Sequence, residues 1–171
     1  GLCGDNRPDH FTGVATVVTK LFVQCEPDFA WFGEKDYQQL VVIRRLTYDL
    51  GLGISVYGVG TVREPDGLAL SSRNAYLDAR ERAIAPGLYR ALMLLAEAVA
   101  AGASPDEESA HIRKVLLDAG FDSVDYVELC DAQTLATINT VTRPARALAA
   151  VQLGRARLID NVAVMPTDRV R

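Results

Sequence analysis

Apolar residues fall into blocks whose spacing changes along the chain. Val14, Val17, Val18, Leu21, Phe22 and Cys25 recur at three- and four-residue intervals, and Pro27 closes the block, which predicts an amphipathic helix. Phe29-Ala30-Trp31-Phe32 is a continuous apolar run between Asp28 and Gly33 and predicts a short buried strand. Helical spacing returns with Leu40, Ile43, Leu46 and Leu50, ended by Gly51, and Ile54 to Val59 predicts a further strand. Strand, loop, helix, strand is a βαβ unit, which implies a parallel sheet with a right-handed crossover. Ligands of such sheets bind beyond the carboxyl ends of the strands, and Gly33 to Gln39 falls there.

Past Pro65-Asp66-Gly67 the pattern changes. Asp78 with Glu81 forms a capping-box pattern, Pro86 follows, and Leu88, Leu92, Leu95 and Val99 make a helical stripe. Ser104-Pro105-Asp106-Glu107 marks another helix start, with an N-cap, a proline at the first helical position and an acid at the third. That helix carries Ile112, Val115 and Leu116 and stops at Gly120. Val124 to Cys130, Leu148 to Leu153 and Leu158 to Val164 predict strands, the last two joined around Gly154. Helices followed by strands without crossover helices suggest a small α+β domain. The boundary is expected between Val62 and Asp66, giving domains 1–64 and 65–171.

Composition narrows the function classes. Hydrophobic residues at 49% and charged residues at 23% are an ordinary globular balance. The net charge of −4 argues against a nucleic-acid binder, which would usually carry a basic excess. No run approaching 18 apolar residues is visible, so no membrane span is expected, and no charged-then-apolar leader suggests secretion. The cysteines Cys3, Cys25 and Cys130 have no C-x-x-C spacing and only His10 and His111 beside them, so no metal site is expected. Each is read as a small buried hydrophobe in a reducing cytoplasm. The chain begins at Gly1 and enters polar residues and a proline directly, which predicts a segment of a longer protein.

Two runs carry candidate chemistry. Gly33-Glu34-Lys35-Asp36-Tyr37-Gln38-Gln39 puts a flexible glycine, a cation, carboxylates and two amides into one loop. Leu70-Ser71-Ser72-Arg73-Asn74 puts two hydroxyls and a guanidinium on another, just past a turn whose Asp66-Gly67 step is expected to be a hinge. Together they supply the backbone donors, point charges and bidentate fork that a nucleoside triphosphate needs. Each run alone would more often be a solvated loop or polar turn than a phosphate cradle, and only their pairing points to phosphate. His10 is read as a structural histidine, His111 as exposed, and Arg7 as either a phosphate contact or a structural ion pair. Trp31 and Tyr37 are read as packing residues, and Arg143, Arg146, Arg155 and Arg157 as solvated strand faces.

These residues resemble the carboxy-terminal part of the pantothenate synthetase (pantoate–β-alanine ligase) family. The likeness runs through Arg7 to Phe11, Gly13 to Leu21, Phe32 to Leu40, Val62 to Glu64, Asp66 to Asn74 and Arg157 to Asn161. It implies the second half of a nucleotidyltransferase-type Rossmann domain over residues 1–64, followed by a small α+β lid domain over 65–171, in a cytoplasmic homodimer. The implied reaction joins pantoate and β-alanine through pantoyl adenylate at the expense of ATP, with Mg2+ carried on the nucleotide. The family's ATP contacts fall on Gly33, Glu34, Lys35, Asp36, Val62, Leu70, Ser71, Ser72 and Arg73, and its pantoate contact on Gln39. Lys35 and Arg73 are the implied catalytic cations.

One departure stands out. The family opens its first Rossmann helix with two histidines one turn apart, and no such pair is present here. The chain is therefore expected to be a fragment that forms no pantothenate by itself, leaves one sheet face uncovered around Phe29 to Phe32 and Ile54 to Val59, and tends to self-associate or stay poorly folded. A non-catalytic binding or dimerisation module is the alternative, and a nucleotidyltransferase of the same superfamily a third reading. Against that third reading, the neutral amides Gln38 and Gln39 suit a small hydroxy acid better than a phosphate.

Overall fold

The structure, a computed structural model, describes Leu2 and residues 9–166. Cys3 and Arg7 lie outside the described residues. The chain divides into two compact units, one ending at Thr61 and one beginning at Val62.

In the first unit, α1 (His10–Cys25) leads to β1 (Phe29–Gly33), a 3-10 turn (Glu34–Asp36), α2 (Tyr37–Asp49) and β2 (Ser55–Val59). The two strands pair in parallel, with Phe29 opposite Ser55, Trp31 opposite Tyr57 and Gly33 opposite Val59, so the expected βαβ unit is present. Val18, Phe22 and Ile43 form its buried centre, with Ala30, Phe32, Leu46 and Val56 packed against them. The pleat sends alternate side chains to the other face. There Phe29, Trp31, Tyr57 and Val59 are 51%, 63%, 46% and 47% exposed. The Trp31 and Tyr57 rings stack at 5.9 Å, and Phe29 lies 6.0 Å from Trp31 and 6.1 Å from Tyr57.

The uncovered face expected around Phe29 to Phe32 and Ile54 to Val59 is thus present, whereas the readings of Phe29 to Phe32 as a buried strand and of Trp31 as a packed residue do not hold. A continuous apolar run fits a sheet covered on both faces, and the described residues cover only one. Tyr37 is buried as expected. The stripe on α1 is half open in the same way: Val18 and Phe22 are buried, whereas Val17, Leu21 and Cys25 face outward. The expectation of a buried thiol therefore fails at Cys25. It holds at Cys130, where burial pushes the thiol up to about 11.

The second unit continues with a 3-10 turn (Ser72–Tyr76), α3 (Ala79–Ile84), α4 (Gly87–Ala100) and α5 (Pro105–Asp118). The strands β3 (Ser123–Asp131), β4 (Ala145–Leu153) and β5 (Ala156–Val164) follow as an antiparallel sheet in the order β3-β4-β5. The capping box is present at α3: Asp78 Oδ1 accepts from Glu81 N at 2.7 Å and Glu81 Oε2 accepts from Asp78 N at 2.9 Å. Ser104 caps α5, with Pro105 in its first turn. Leu88, Leu92, Leu95 and Val99 are buried with Ile112, Leu116, Val127, Val151 and Leu153 in one core. Val62 and Glu64 are tied to the residues that follow them: Val62 O accepts from Leu70 N at 2.9 Å and Glu64 N donates to Leu68 O at 2.8 Å.

One further expectation needs amendment. Ala79–Ala100 is long and apolar enough, by length and composition alone, to cross a membrane, with a mean hydropathy of 1.4 over an 18-residue window within it. The sequence reading missed it because apolar and polar residues are interleaved there. In the structure, helix α4 sends its apolar stripe into the core, which accounts for that hydropathy.

At the end of β3, Asp131 is 1% exposed and organises the following loop. Its Oδ1 accepts from Thr134 Oγ1 and Thr134 N at 2.8 Å each and from Gln133 N at 3.1 Å, while Arg143 Nε lies 2.6 Å from Oδ2. The Thr134 hydroxyl foremost, then the backbone donors and Arg143, hold this carboxyl below its ordinary value.

Two outcomes are expected. Replacing Phe29 and Trp31 together by Ser should weaken concentration-dependent association, because exposed apolar sheet faces promote contact between chains. Sedimentation velocity across a concentration series checks it, and unchanged association would acquit this face. Because the Asp131 pKa is depressed on folding, its carboxylate stabilises the fold above the unfolded value of ~3.9 and that contribution fades as pH falls through the folded value. Asp131→Asn should therefore cost ~1–3 kcal/mol near neutrality, read by urea titration. The gap to the parent should shrink in acid, and a gap independent of pH would contradict this role.

Candidate functional site

The crossover delivers the first run to one end of the parallel pair. Gly33 and Val59 are register partners at the ends of β1 and β2, and the chain turns at once through Glu34–Asp36 into α2. Asp36 occupies the N-cap position of this 13-residue helix without a side-chain cap bond. Such a terminus favours anions. Lys35 and Gln39 are half-buried, Asp36 is exposed, and Tyr37 and Leu40 are buried.

Glu34 folds back over β2. A Cβ on Gly58 would stand 2.8 Å from Glu34 Oε1, 3.0 Å from Glu34 Cγ and 3.0 Å from Leu40 Cδ2. Glycine at 58 thus makes the room Glu34 occupies. Sequence reasoning gave Gly58 no role, and its only signal was a glycine interrupting a strand.

The second run lies in the second unit, where the turn that precedes it is braced rather than hinged. Gly67 N donates to Glu64 O at 2.9 Å, Leu68 N donates to Asp66 Oδ1 at 3.2 Å, and Arg82 Nη1 lies 2.6 Å from Asp66 Oδ2. Gly67 has φ +94°, and a Cβ there would lie 2.6 Å from the Tyr89 ring. These ties overturn the expectation of a hinge at Asp66-Gly67.

Beyond the brace, Ser71 Oγ accepts from Arg73 N at 3.2 Å and Asn74 N donates to Ser71 O at 3.0 Å. The Ser71 hydroxyl hydrogen remains available to a phosphate oxygen. Ser72 and Arg73 are exposed, and Val62 and Leu70 present apolar side chains beside them at 63% and 47% exposure. Asn74 Nδ2 donates to Ala69 O at 3.1 Å and closes the segment, while its Oδ1 is buried without a hydrogen-bond partner. This anchoring by Asn74 was also missed, because nothing local predicts which carbonyl it reaches.

The first unit therefore gathers Gly33, Glu34, Lys35, Asp36 and Gln39, and the second gathers Val62, Leu70, Ser71, Ser72 and Arg73. No group of three or more His, Cys, Asp or Glu that could hold a metal occurs among the described residues. The His10 ring lies 5.1 Å from Phe11, and His111 is exposed on α5. Three of the four late arginines are not simply solvated. Arg143 pairs with Asp131 at 2.6 Å, Arg157 with Asp125 at 2.7 Å, and Arg146 Nη1 donates to Asn161 Oδ1 at 3.0 Å. An open groove of about 400 Å³ lined by Glu26, Pro27, Asp28, Leu52 and Gly53 lies at the amino ends of β1 and β2, away from Gly33. Strand polarity thus puts that groove at the wrong end for a ligand of a parallel sheet.

The fold defines an α/β chain with a parallel βαβ unit and a separate antiparallel sheet, and comparison with known proteins makes the class specific. The family model for pantoate-beta-alanine ligase matches residues 1–163. A pantothenate synthetase from Paramagnetospirillum magneticum is 57% identical over 166 residues, covering 97% of this chain and 58% of that relative. The crystal structure of pantothenate synthetase from Thermus thermophilus matches with a TM-score of 0.89 and 47% identity, covering 95% of this chain and 59% of that one. A pantoate-beta-alanine ligase from Francisella tularensis, solved in complex with beta-gamma ATP and β-alanine, matches with a TM-score of 0.70 and 31% identity, covering 95% and 53%. The chain belongs to the pantoate-beta-alanine ligase family, and it spans about 58% of the length of the curated relatives it matches.

Gly58→Ala is expected to push Glu34 and Leu40 from their places and cost ~1–3 kcal/mol of stability through overpacking. Thermal unfolding followed by circular dichroism checks it, and an unchanged midpoint would mean that the neighbours yield freely.

Proposed function

We propose that this chain carries ATP- and pantoate-binding residues of a pantoate–β-alanine ligase. The observation that supports the reading most is the Gly33–Asp36 turn, with Lys35, at the carboxyl end of a parallel pair in a chain of this family. The Francisella relative bound to beta-gamma ATP and β-alanine supports the same substrates here.

In this reading the pantoate carboxylate attacks the α-phosphorus of MgATP. A P–O bond forms, the bond to pyrophosphate breaks, and pantoyl adenylate results. The β-alanine amine then attacks the acyl carbon, AMP leaves with the electron pair of the broken C–O bond, and the amine loses a proton to give pantothenate. A carboxylate approaching a polyphosphate needs cations to offset repulsion and to meet the charge that builds on the leaving group. Lys35 and Arg73 supply them. Ser71 and Ser72 donate to phosphate oxygens, and Gly33, Glu34, Asp36, Val62 and Leu70 frame the nucleotide. Gln39, one helical turn beyond Asp36, hydrogen-bonds pantoate. Mg2+ arrives with ATP.

The resemblance further implies a homodimer at full length and a cytoplasmic setting, which the free thiols Cys25 and Cys130 fit. The net charge of −4 supports small-molecule substrates rather than nucleic acid. The residues present here include no paired histidines, so the 171 residues alone are expected to bind without turnover. A binding or dimerisation module without catalysis is the second reading.

Lys35→Ala in an enzyme containing this sequence should slow pyrophosphate release about a hundredfold or more, the ~3–4 kcal/mol that one lost cation or donor typically costs. Near-normal release would remove Lys35 from the mechanism. Gln39→Ala should raise the KM for pantoate by the ~1–3 kcal/mol of an unpaired polar group and leave that of ATP nearly unchanged. Steady-state kinetics with each substrate varied separates the two, and a rise confined to ATP would refute the assignment.

A further inference from the structure

Arg63 is held from several sides at once. Its Nη1 lies 2.6 Å from Asp160 Oδ2 and its Nη2 3.0 Å from Asp160 Oδ1, a bidentate pair joining the start of the second unit to β5. Nη1 also donates to Gly67 O at 3.0 Å and Nη2 to Asn161 O at 3.4 Å. The guanidinium carbon sits 3.9 Å from the centre of the Tyr89 ring. The pair is shielded, with the Arg63 side chain 19% and the Asp160 side chain 3% exposed. Asp160 is itself fixed, since its Oδ1 accepts from Asn161 N at 2.7 Å and it stands in the middle of β5 opposite Ala149.

The consequence lies a few residues downstream. Arg63 forms an antiparallel bridge with Ala69, and Leu70 N donates to Val62 O, so residues 62–70 form a closed turn whose two ends move together. Clamping Arg63 to the sheet therefore clamps Leu70, the first residue of the exposed Leu70–Arg73 segment. The same Tyr89 ring that carries the guanidinium also blocks any side chain at residue 67, so the turn can close onto it only with glycine there. A lysine could not serve in place of Arg63, because it lacks the planar fork that engages both carboxylate oxygens while its face lies on the ring.

We propose that Arg63, held by Asp160 and Tyr89, is a positioning residue that sets the Leu70–Arg73 segment in place for the nucleotide phosphates. The proposal rests on the ATP reading above for its functional half, and the brace itself stands on the contacts alone. It differs from a general stabilising role in being local, since the strands of the second unit have a ladder of their own.

The test uses amide hydrogen exchange on the 171-residue chain, comparing the parent with Arg63→Lys, Asp160→Asn and the control Arg157→Gln, which breaks the ion pair with Asp125 in the same sheet. Arg63→Lys should speed exchange across Leu70 to Asn74 about tenfold while the amides of β4 stay within about twofold of the parent, the pattern of a local opening. Asp160→Asn keeps one acceptor oxygen and should loosen the same segment less, and Arg157→Gln should leave it unchanged. No change in that segment, or a uniform rise through the second unit, would overturn the brace, and the milder Asp160→Asn decides the matter if Arg63→Lys does not fold. Adding MgATP should protect Leu70 to Asn74 in the parent and require about tenfold more nucleotide in Arg63→Lys, since a loosened site must be ordered on binding. Absence of protection in the parent would overturn the nucleotide half and leave the nucleotide-free comparison to decide the brace.

Discussion

Parallel strands cannot be joined by a tight turn, so the chain between β1 and β2 has to travel the length of the pair and come back. Helix α2 is that return, and the placement of everything chemical in the first unit follows from it. Leu40 and Ile43 have no exposed surface and hold the helix against the strands. With the helix fixed, its amino end stands where β1 stops, and the short turn from Glu34 to Asp36 has nowhere else to go. Glu34 then uses the space that Gly58 leaves open on the neighbouring strand. A loop that reads as flexible and polar is in fact placed by apolar packing beneath it.

The second unit solves a comparable problem with charge rather than with a crossover helix. Its antiparallel sheet is pinned by two buried carboxylates, Asp131 at the end of β3 and Asp160 within β5, each matched by an arginine and by backbone donors. A buried carboxylate is costly unless its oxygens are satisfied, so these positions tolerate little variation in what faces them. Asp131 orders a loop within its own sheet edge. Asp160 reaches a segment 97 residues earlier in the chain and ties it to the sheet.

What could be read from the sequence was what depends on near neighbours. The capping box of Asp78 and Glu81, the Ser104-Pro105 helix start and the stripe Leu88, Leu92, Leu95 and Val99 all act within a few residues, and each is present as expected. The βαβ order and the family likeness were legible for the same reason, since motifs such as Phe32 to Leu40 are contiguous. Features set by distant partners were not. Arg63 and Asp160 could each be seen within a motif, yet nothing in either motif names the other. The Asp66-Gly67 step looked like a hinge because glycine permits movement, and only the Tyr89 ring and the Arg82 guanidinium show that here the glycine permits close approach. Apolar content likewise could not say whether the Phe29 to Phe32 strand would be covered on one face or two.

The open sheet face has an optical side. Trp31 is the only tryptophan in the chain, and it stands 63% exposed beside Tyr57 on that face. Indole emission responds to water around the ring, so the chain carries its single indole on the sheet face that is left open. Whatever comes to lie over β1 and β2 must dehydrate that ring, and the emission would move to shorter wavelength as it did so. The surface that leaves this unit half covered is thus also the one whose covering can be watched without a label.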